Sequence, residues 1–266
     1  MPRTPRWVES SIGHGIWTAR LHSWKYFNDY IRQEMLDYRT FIWRGQRRSD
    51  WTLQSTLGRK LEKKSKVQKF LKEHGHLENF KYAVRGRRGP NPPVLETEND
   101  WWALGQHFGL DTPLLDWSAS PFVGAFFAFS NTGTKQTTKR IVYALSQNLM
   151  KQANARAKKK HKEEKLKGKP SLIEFIRPLS DENARLVNQG GLFTRTSIDI
   201  DIETWVKNNF DKDLKYVTLL KIEIPNKDRA LCLRSLNRMN INHLTLFPDL
   251  TGASTYANMD LEIKNY

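Results

Sequence analysis

WWALGQHFGLDTPLLDWSASPFVGAFFAFS, residues 101–130, contains signals for a helix, a turn, a strand and a second helix in close succession. We expect the end of a helix, a turn at Gly-Leu-Asp-Thr-Pro, a short strand over residues 113–117 and a buried helix over residues 122–129. Ser120 and Pro121 mark the start of the second helix, because a serine cap followed by a first-turn proline is typical of helix N-termini. We expect the other elements to pack around this unit.

Polar side chains stand at the end of the predicted strand, where Asp116 and Ser118 precede the buried helix. Such a junction usually lies at the edge of a cleft, which is where ligands bind in mixed folds. Four polar groups of this kind occur beside apolar elements: Arg44-Gly45-Gln46, Gln106-His107, Asp116-Trp117-Ser118-Ala119-Ser120 and Gln189-Gly190-Gly191. None of them matches a P-loop, a Rossmann glycine fingerprint, a zinc-binding HExxH helix or a GxSxG nucleophile elbow.

The composition is that of a folded protein with a large excess of positive charge. Nine Trp, thirteen Phe and eight Tyr in 266 residues can form the core of one large domain or two small ones. The chain has 44 Lys and Arg against 28 Asp and Glu, a formal net charge of +16. This excess favours a polyanionic partner, such as nucleic acid, an acidic protein or an anionic membrane. The alternative is a surface that serves solubility alone.

Cys232 is the only cysteine, which excludes an internal disulfide and a CxxC metal site. We expect this side chain to fill space in the core. The histidines show no metal-ligand spacing in company with acids, so no metal site is predicted. The longest apolar run, residues 122–129, is far shorter than the roughly 20 residues of a membrane span. We therefore expect a cytoplasmic protein with no membrane partner.

The first half of the chain predicts helices on either side of a strand. Residues 1–20 are typical of an extended arm, and residues 17–38 show helical spacing of apolar side chains. Residues 41–46, FIWRGQ, predict a strand that stops at Gly45. Residues 57–83 predict one long helix with a basic polar side and an apolar side made of Leu61, Val67, Phe70, Leu71, Leu77 and Phe80.

The second half predicts short strands and further helices. Residues 151–170 predict an exposed basic insertion, helical or disordered, which is too polar to contribute to the core. The other expected elements are strands at 140–145, 192–194 and 216–224, a helix at 181–187 capped by Ser180, a helix at 229–239 and a polar tail. Short strands and helices without regular βαβ alternation indicate an α+β fold with a mixed or antiparallel sheet.

Arg44 follows a hydrophobic strand and precedes Gly45, so its guanidinium is a candidate for bidentate binding of phosphate or carboxylate. The alternative is a buried arginine paired with a structural acid. A hydrolase that uses Ser118, His107 and Asp116 as a triad is disfavoured. Asp-Trp-Ser-Ala-Ser-Pro has no glycine to form the strained elbow and the oxyanion hole that a triad needs.

Four blocks of sequence, in this order, resemble the FRG domain: FIWRGQ with Trp51 behind it, GQHFGLDTPLLDWSASP with the aromatic helix after it, RLVNQGGLFT, and INHLTLFPDLTG. The resemblance implies a single domain over residues 1–266, with a core at about 31–252 and an added basic insertion at 151–170. The letters FRG stand for Phe-Arg-Gly, and the chain departs from them at one position, since Trp43 precedes Arg44-Gly45 in place of the phenylalanine.

FRG domains are similar in layout to the ADP-ribosyltransferase superfamily. The resemblance implies a split mixed sheet with flanking helices, and NAD bound as a substrate in the cleft between the two halves. Members of the family occur as toxins in bacterial defence, including anti-phage defence, and in toxin–antitoxin systems. By analogy the chain is expected to have a nucleic-acid or protein target and a neutralising antitoxin protein as its partner.

The resemblance also implies roles for single residues. Arg44 takes the place of the first-strand arginine of the Arg-Ser-Glu transferases, and the segment from Asp116 to Ser120 takes the place of their Ser-Thr-Ser strand. Gln189 stands in the position most similar to their late-strand glutamate. The essential carboxylate is therefore expected to come from Asp116, with Asp249 as the second candidate.

The chemistry of NAD cleavage agrees with this assignment. Breaking the nicotinamide–ribose bond develops positive charge on the sugar, which calls for a carboxylate, a phosphate-binding arginine and an aromatic ring for the nicotinamide. His107 is a candidate base, and its alternative is a core histidine bonded to backbone. The expected catalytic residues are Arg44, His107, Asp116, Ser118 and Gln189. The expected NAD-binding residues are Arg44, Gly45, Gln46, Trp117, Phe193 and Asp249.

The leading hypothesis is an NAD-dependent ADP-ribosyltransferase toxin that modifies nucleic acid, with RNA, such as mRNA, favoured over DNA. Basic clusters at residues 59–72, 85–88 and 151–169 motivate the choice of target. Three alternatives stay open. They are a non-catalytic nucleic-acid-binding module, an NAD glycohydrolase with water as acceptor, and an ADP-ribosyltransferase that acts on protein.

Overall fold

A mixed sheet of eight strands lies at the centre of the computed structural model, which describes residues 5–131, 133, 137–166, 168–178 and 184–266. Across the sheet the strand order is β1-β2-β8-β5-β3-β4-β7-β6. All neighbouring pairs are antiparallel except β2 and β8, which are parallel. The strands are β1 (Trp7–Gly13), β2 (Ile16–Leu21), β3 (Phe41–Gln46), β4 (Leu114–Ser118), β5 (Lys139–Ser146), β6 (Glu174–Ile176), β7 (Gly191–Arg195) and β8 (Leu219–Pro225).

Helices flank this sheet, so the expected mixed sheet with flanking helices is confirmed. The described helices are α1 (Phe27–Tyr30), α2 (Thr56–Lys60), α3 (Lys66–Ala83), α4 (Glu98–His107), α5 (Pro121–Ser130), α6 (Gln147–Glu163), α7 (Ala184–Asn188), α8 (Ile202–Asn209), α9 (Arg229–Arg238), α10 (His243–Leu246) and α11 (Leu250–Glu262). Short helical turns of other types stand before and after α1. No helix in the described part of the chain is long and apolar enough to cross a membrane.

Apolar side chains cover both faces of the sheet. Successive side chains of a strand point to opposite faces, so a single strand contributes to both. On β5, Val142 and Ala144 belong to one apolar cluster, whereas Tyr143 and Leu145 belong to another. Residues of α1, α5 and α9 complete the first cluster, and residues of α6 and α8 complete the second. A third cluster forms around Trp102 of α4. These clusters hold the strands that carry the candidate site.

The sheet is nearly divided between β3 and β4. β3 pairs with β5 through six residue pairs, but it meets β4 in a single pair, Trp43 with Ser118. β4 in turn pairs with β7 through five residue pairs. A five-stranded part and a three-stranded part therefore diverge from one another just after Trp43, on the side of Arg44.

The two ends of the chain differ from expectation. The described part of residues 1–20 is not an arm but a β-hairpin, in which β2 lies beside β8 and Ile16 is fully buried. The predicted polar tail is instead helix α11, whose Met259 packs into the core. The hydrophobic core therefore extends beyond residues 31–252 in both directions. Strand β1 and helix α11 were missed because few of their side chains are buried, so their apolar patterns are weak.

The helix predicted over residues 57–83 is two helices. The break has a local cause, since Ser65 forms a capping box with Gln68 and so starts α3 afresh. The first turns of α3 project from the protein, so Val67 and Phe70, which were expected on a buried side, are exposed.

The basic segment 151–170 is anchored to the fold. Its first part belongs to α6, where Ala153 is buried in the second apolar cluster. The Asn154 side chain donates to Ile173 O at 2.7 Å and accepts from Ile173 N at 3.0 Å. The prediction that this segment stays out of the core is therefore wrong at its N-terminal end. The predicted cap Ser180 lies outside the described residues.

Candidate functional site

The gap between β3 and β4 opens into a pocket of about 460 Å³. This volume lies within the range of about 300–1,000 Å³ that is usual for small-molecule sites. The ends of α4 and α5, strand β7 and the segment after α7 form the other walls. The pocket brings together eight of the predicted site residues: Arg44, Gly45, His107, Asp116, Trp117, Ser118, Gln189 and Phe193.

Arg44 spans the opening between the two strands. Its Nη1 donates to the backbone oxygen of Asp116 at 2.7 Å and lies 3.5 Å from the Asp116 carboxylate. The Asp116 side chain is 57% exposed and that of Arg44 only 20%, so the carboxylate is the more accessible of the two charges. The Arg44 Nε is buried and has no hydrogen-bond partner among the described residues.

Gln106 fixes the orientation of the Asp116 carboxylate. Its Nε2 donates to Asp116 Oδ2 at 2.9 Å, and its Oε1 accepts from the hydroxyl of Thr112. Thr112 is fully buried, and its hydroxyl oxygen also accepts from Leu114 N at 3.2 Å. This chain of hydrogen bonds connects the carboxylate to the start of β4. The pocket thus contains a carboxylate in a set position beside a guanidinium.

Two arginines fix the C-terminal end of α5, which forms another wall of the pocket. Arg140 is fully buried and donates from Nη1 to Ala128 O at 3.1 Å and to Asn131 O at 2.9 Å. Arg229 donates from Nε to Phe129 O at 3.0 Å. A helix end leaves such carbonyls without intrahelical partners, and cations also suit the helix dipole there. Burial lowers the pKa of Arg140 to about 10, so its charge persists at neutral pH.

Asp249, which was predicted to bind NAD, is not among the residues that line the pocket. Its carboxylate accepts from Gly252 N at 2.9 Å, as the cap of α11, and from Arg185 Nε at 2.7 Å. These hydrogen bonds, that from Gly252 first, lower the pKa of Asp249. Arg185 does line the pocket, with its guanidinium 5.4 Å from the centre of the Phe247 ring. Asp249 therefore holds the guanidinium of Arg185 in position at the pocket.

Ser118 and Gln189 line the pocket but bond to backbone. The Ser118 hydroxyl donates to Gln189 O at 2.7 Å and accepts from Ser120 N at 3.0 Å. The Gln189 side chain donates from Nε2 to Leu246 O at 3.1 Å. Both residues were predicted to be catalytic, but the Ser118 bond holds the loop between α7 and β7 against β4, and the Gln189 bond holds the same loop against the end of α10. Their observed contacts are those of positioning residues.

Replacement of Ser118 tests this positioning role. Ser118→Ala is expected to destabilise the protein by about 1–3 kcal/mol, because two partly buried backbone groups lose their partner. The free energy of unfolding in urea gives this value. Ser254→Ala, which removes an exposed hydroxyl on α11, is the matched control and should change it by less than about 0.5 kcal/mol. Equal values for the two variants would contradict the assignment.

Gln46 and Gly45 have structural roles that the sequence did not show. Gln46 is buried and does not line the pocket, contrary to the prediction; its Nε2 donates to Trp51 O at 2.7 Å and to Arg48 O at 3.3 Å. Gly45 does line the pocket. However, a Cβ at Gly45 would lie 1.9 Å from Gly124 O, so the close approach is made to helix α5 and not to a ligand.

His107, Trp117 and Phe193 contribute rings from three different elements. His107 is the last residue of α4, and its ring packs edge-on against Phe108 with centres 4.7 Å apart. Trp117 and Phe193 are each 3% exposed, and the Trp117 Nε1 donates to the Thr194 hydroxyl at 2.8 Å. Phe193 pairs with Asp116 and shares its face of the sheet, whereas the Trp117 ring points to the opposite face and packs in the second apolar cluster. His107 stands at the edge of the pocket.

His243 packs behind the pocket wall. Its ring stacks on Phe247 with centres 5.9 Å apart and meets Phe126 edge-on at 4.9 Å. Its Nδ1 is buried without a hydrogen-bond partner among the described residues. Burial lowers the pKa of His243, while the Glu262 carboxylate opposes this shift and Arg229 adds to it. The folded protein therefore favours the neutral imidazole.

This preference makes stability depend on pH. Below the ordinary histidine pKa of about 6.5 the unfolded chain binds a proton that the folded chain does not, so stability falls as the pH falls. His243→Phe is expected to flatten the dependence of the unfolding free energy on pH between about pH 5 and 7. Urea unfolding across that range measures the slope, with the exposed His22→Gln as control. A slope as steep as that of the wild type would be evidence against the role of His243.

Eight further pocket residues were not predicted, among them Gln106, Phe127, Arg185 and Phe247. Gln106 belonged to a polar group that the sequence did single out, but its bond to Asp116 depends on how α4 meets β4. Phe127 lies in a run that was expected to be wholly buried. Arg185 and Phe247 come from segments far along the chain, and no spacing in the sequence relates them to β3.

A comparison with models of known protein families gives a match to part of the chain. Residues 39–137 match the family model of the FRG domain, which confirms the resemblance over that range. The match runs from β3 to just beyond α5, so it contains Arg44, His107 and Asp116, whereas Gln189 lies outside it. No curated protein and no solved structure matches the chain. Within the described ranges, no group of three or more His, Cys, Asp and Glu residues could hold a metal ion.

Proposed function

We propose that the protein is an NAD-dependent ADP-ribosyltransferase that uses the pocket between β3 and β4, with RNA favoured over DNA as acceptor. The observation that carries this proposal is the pair Arg44 and Asp116, which meet across the opened sheet inside a pocket of ligand size. An arginine suits the pyrophosphate of NAD, and an adjacent carboxylate suits a sugar that becomes positively charged.

The pocket offers a group for each part of the substrate. Arg44 and Arg185 supply two cations for the pyrophosphate. Phe127 and Phe247 pack edge-on with ring centres 6.1 Å apart and supply an aromatic wall for the nicotinamide. The Asp116 carboxylate, oriented by Gln106, lies on the accessible side of the guanidinium. This set of groups supports NAD as the substrate.

NAD, as substrate, supplies the ADP-ribosyl group and carries nicotinamide as its leaving group. The bond between nicotinamide nitrogen and ribose carbon breaks, and its electron pair stays with nicotinamide. A nucleophilic nitrogen or oxygen of the acceptor forms the new bond to the same carbon. We assign to Asp116 the stabilisation of positive charge on the ribose and to His107 the uptake of the proton that the acceptor loses.

The net charge of +16 supports a polyanionic acceptor. The resemblance to FRG-domain toxins further supports a cytoplasmic toxin that a neutralising antitoxin protein holds in check. This cellular role has a simple readout, since expression of the wild type should arrest growth and expression of Asp116→Asn should not.

The proposal is tested by incubating the purified protein with NAD labelled on its adenylate phosphate and with RNA, DNA or lysate protein. Label on RNA is the expected result. Label on protein alone would support a transferase activity but contradict nucleic acid as the acceptor. Free ADP-ribose without labelled acceptor would point to an NAD glycohydrolase, and intact NAD in every mixture would overturn the proposal.

A further inference from the structure

Three arginines surround one tryptophan in the loop that follows β3. The guanidinium carbons of Arg47, Arg48 and Arg59 lie 4.9, 5.8 and 5.8 Å from the centre of the Trp51 ring. Two of these residues come from the loop itself, and Arg59 comes from α2. Each distance is within the range in which a cation is attracted to the face of an aromatic ring. We call these four residues the Trp51 cluster.

The cluster holds more positive charge than its neighbours neutralise. Arg48 is paired with Asp50, whose two carboxylate oxygens lie 2.9 and 2.5 Å from its nitrogens. In the described part of the chain, no carboxylate lies within ion-pair distance of Arg47 or Arg59. Asp50 is thus the one acid paired with the three guanidiniums in the described residues, while Asp111 acts on Arg59 from beyond ion-pair distance and is itself paired with Lys60. A bound anion would relieve their mutual repulsion.

The cluster is held in a set position beside the candidate site. Gln46, which ends β3 two residues after Arg44, donates to Trp51 O at 2.7 Å. Partial burial lowers the pKa of Arg59, and the charge of Arg44 lowers it further. The Trp51 cluster therefore follows directly after β3, the strand that carries Arg44 into the pocket, although none of its own residues lines the pocket.

We propose that the Trp51 cluster is the docking surface for a single-stranded nucleic acid, which it holds by its phosphates so that a nucleotide reaches the Arg44–Asp116 pocket. The inference rests on the proposed function for the identity of the pocket, but the docking itself needs no NAD.

A nucleic-acid strand fits the cluster better than a folded acidic protein does. Arginines offer planar donors for phosphate oxygens, and an aromatic ring held among guanidiniums gives a flat surface on which a base can stack. The basic residues Lys60, Lys63 and Lys64 follow Arg59 directly in the chain and extend the same charge along the turn into α3. Among the described residues Lys60 is paired with Asp111, so Lys63 and Lys64 carry the charge that is left for a strand.

The helix α6 offers the matched comparison. It also carries exposed lysines, among them Lys158 and Lys162, but no aromatic ring of the described residues lies within cation–π distance of these two, in contrast to the arginines around Trp51. If net charge alone bound nucleic acid, loss of two charges from α6 would weaken binding as much as loss of two from the Trp51 cluster.

The test measures binding of a fluorescent single-stranded RNA, and of DNA with the same sequence, by anisotropy and without NAD. Arg47→Gln with Arg59→Gln is expected to weaken binding at least about tenfold, and to reduce the slope of log affinity against log salt by about 1.4. Trp51→Leu should also weaken binding, and Trp51→Phe should restore most of it. Lys158→Gln with Lys162→Gln should change affinity less than about threefold. Thermal unfolding establishes that each variant is folded.

Each result decides the inference. Equal losses from the two double variants would show non-specific attraction and overturn it, as would full binding by the Arg47 and Arg59 variant. Absence of binding by the wild type would overturn it as well. If the wild type never consumes NAD but the cluster variants still lose binding, the docking surface is supported and the proposed function is rejected. Stronger binding of RNA than of DNA would identify the preferred strand.

Discussion

Arg44→Lys is expected to reduce NAD cleavage at least about 100-fold, a loss similar to that seen when an enzyme loses one charge-stabilising donor. Arg44 donates from one nitrogen to Asp116 O at 2.7 Å and keeps further donors for a ligand. A lysine has the same charge but a single nitrogen, so it cannot hold β4 and bind phosphate in the planar geometry of a guanidinium. The rate of nicotinamide release measures the effect.

Arg20→Lys is the matched control for this substitution. Arg20 lies on β2 of the same sheet, is exposed and pairs with Glu223 at 3.3 Å, away from the pocket. This variant should keep the wild-type rate within about twofold, since such exposed ion pairs contribute little. If the Arg44 and Arg20 variants lost the same amount of activity, Arg44 would have no special part in the chemistry.

Gly45→Ala is expected to destabilise the protein by at least about 3 kcal/mol, the upper end of the usual cost of overpacking. The added Cβ would lie 1.9 Å from Gly124 O and 2.3 Å from Ala128 N, both backbone atoms of α5. No side-chain rotation can relieve a clash with backbone, so α5 must move away from β3. Because α5 also carries Phe127 into the pocket, activity should fall with stability.

Gly75→Ala makes the same chemical change where space is open. Gly75 lies inside α3, and a Cβ there would meet nothing within 4 Å. Alanine is the better helix former, so this variant should be stabilised by about 0.5–1 kcal/mol. The two unfolding free energies should therefore shift in opposite directions. A Gly45→Ala protein as stable as the wild type would show that the packing of α5 on β3 is not as described.

The elements that the sequence predicted best have strong local signals. FIWRGQ is rich in aromatic and β-branched residues, and its predicted bounds are those of β3. Ser120 caps α5 by accepting from Val123 N, with Pro121 in the first turn, as the Ser-Pro pair indicated. The hairpin of β1 and β2 lacks such a signal, because most β1 side chains are exposed and show no apolar alternation.

The residue types of the candidate site could be predicted better than their contacts. Arg44 and Asp116 were correctly expected near one pocket because each stands at the end of an apolar strand. Their hydrogen bond joins residues 72 positions apart and depends on the divergence of β3 from β4, which no periodicity reveals. Ser118 and Gln46 are polar residues at the same edge, but their side chains donate hydrogen bonds to backbone oxygens of the protein itself.

The release of nicotinamide from NAD by wild type and by Asp116→Asn, with RNA present, tests the proposed site most directly. Asparagine keeps the shape of the side chain and an oxygen for Gln106, but it removes the negative charge. The wild type should release nicotinamide, and the variant, with an unchanged unfolding midpoint, should do so at least about 100-fold more slowly. No release by the wild type, or equal release by both proteins, would contradict a catalytic site at Arg44 and Asp116.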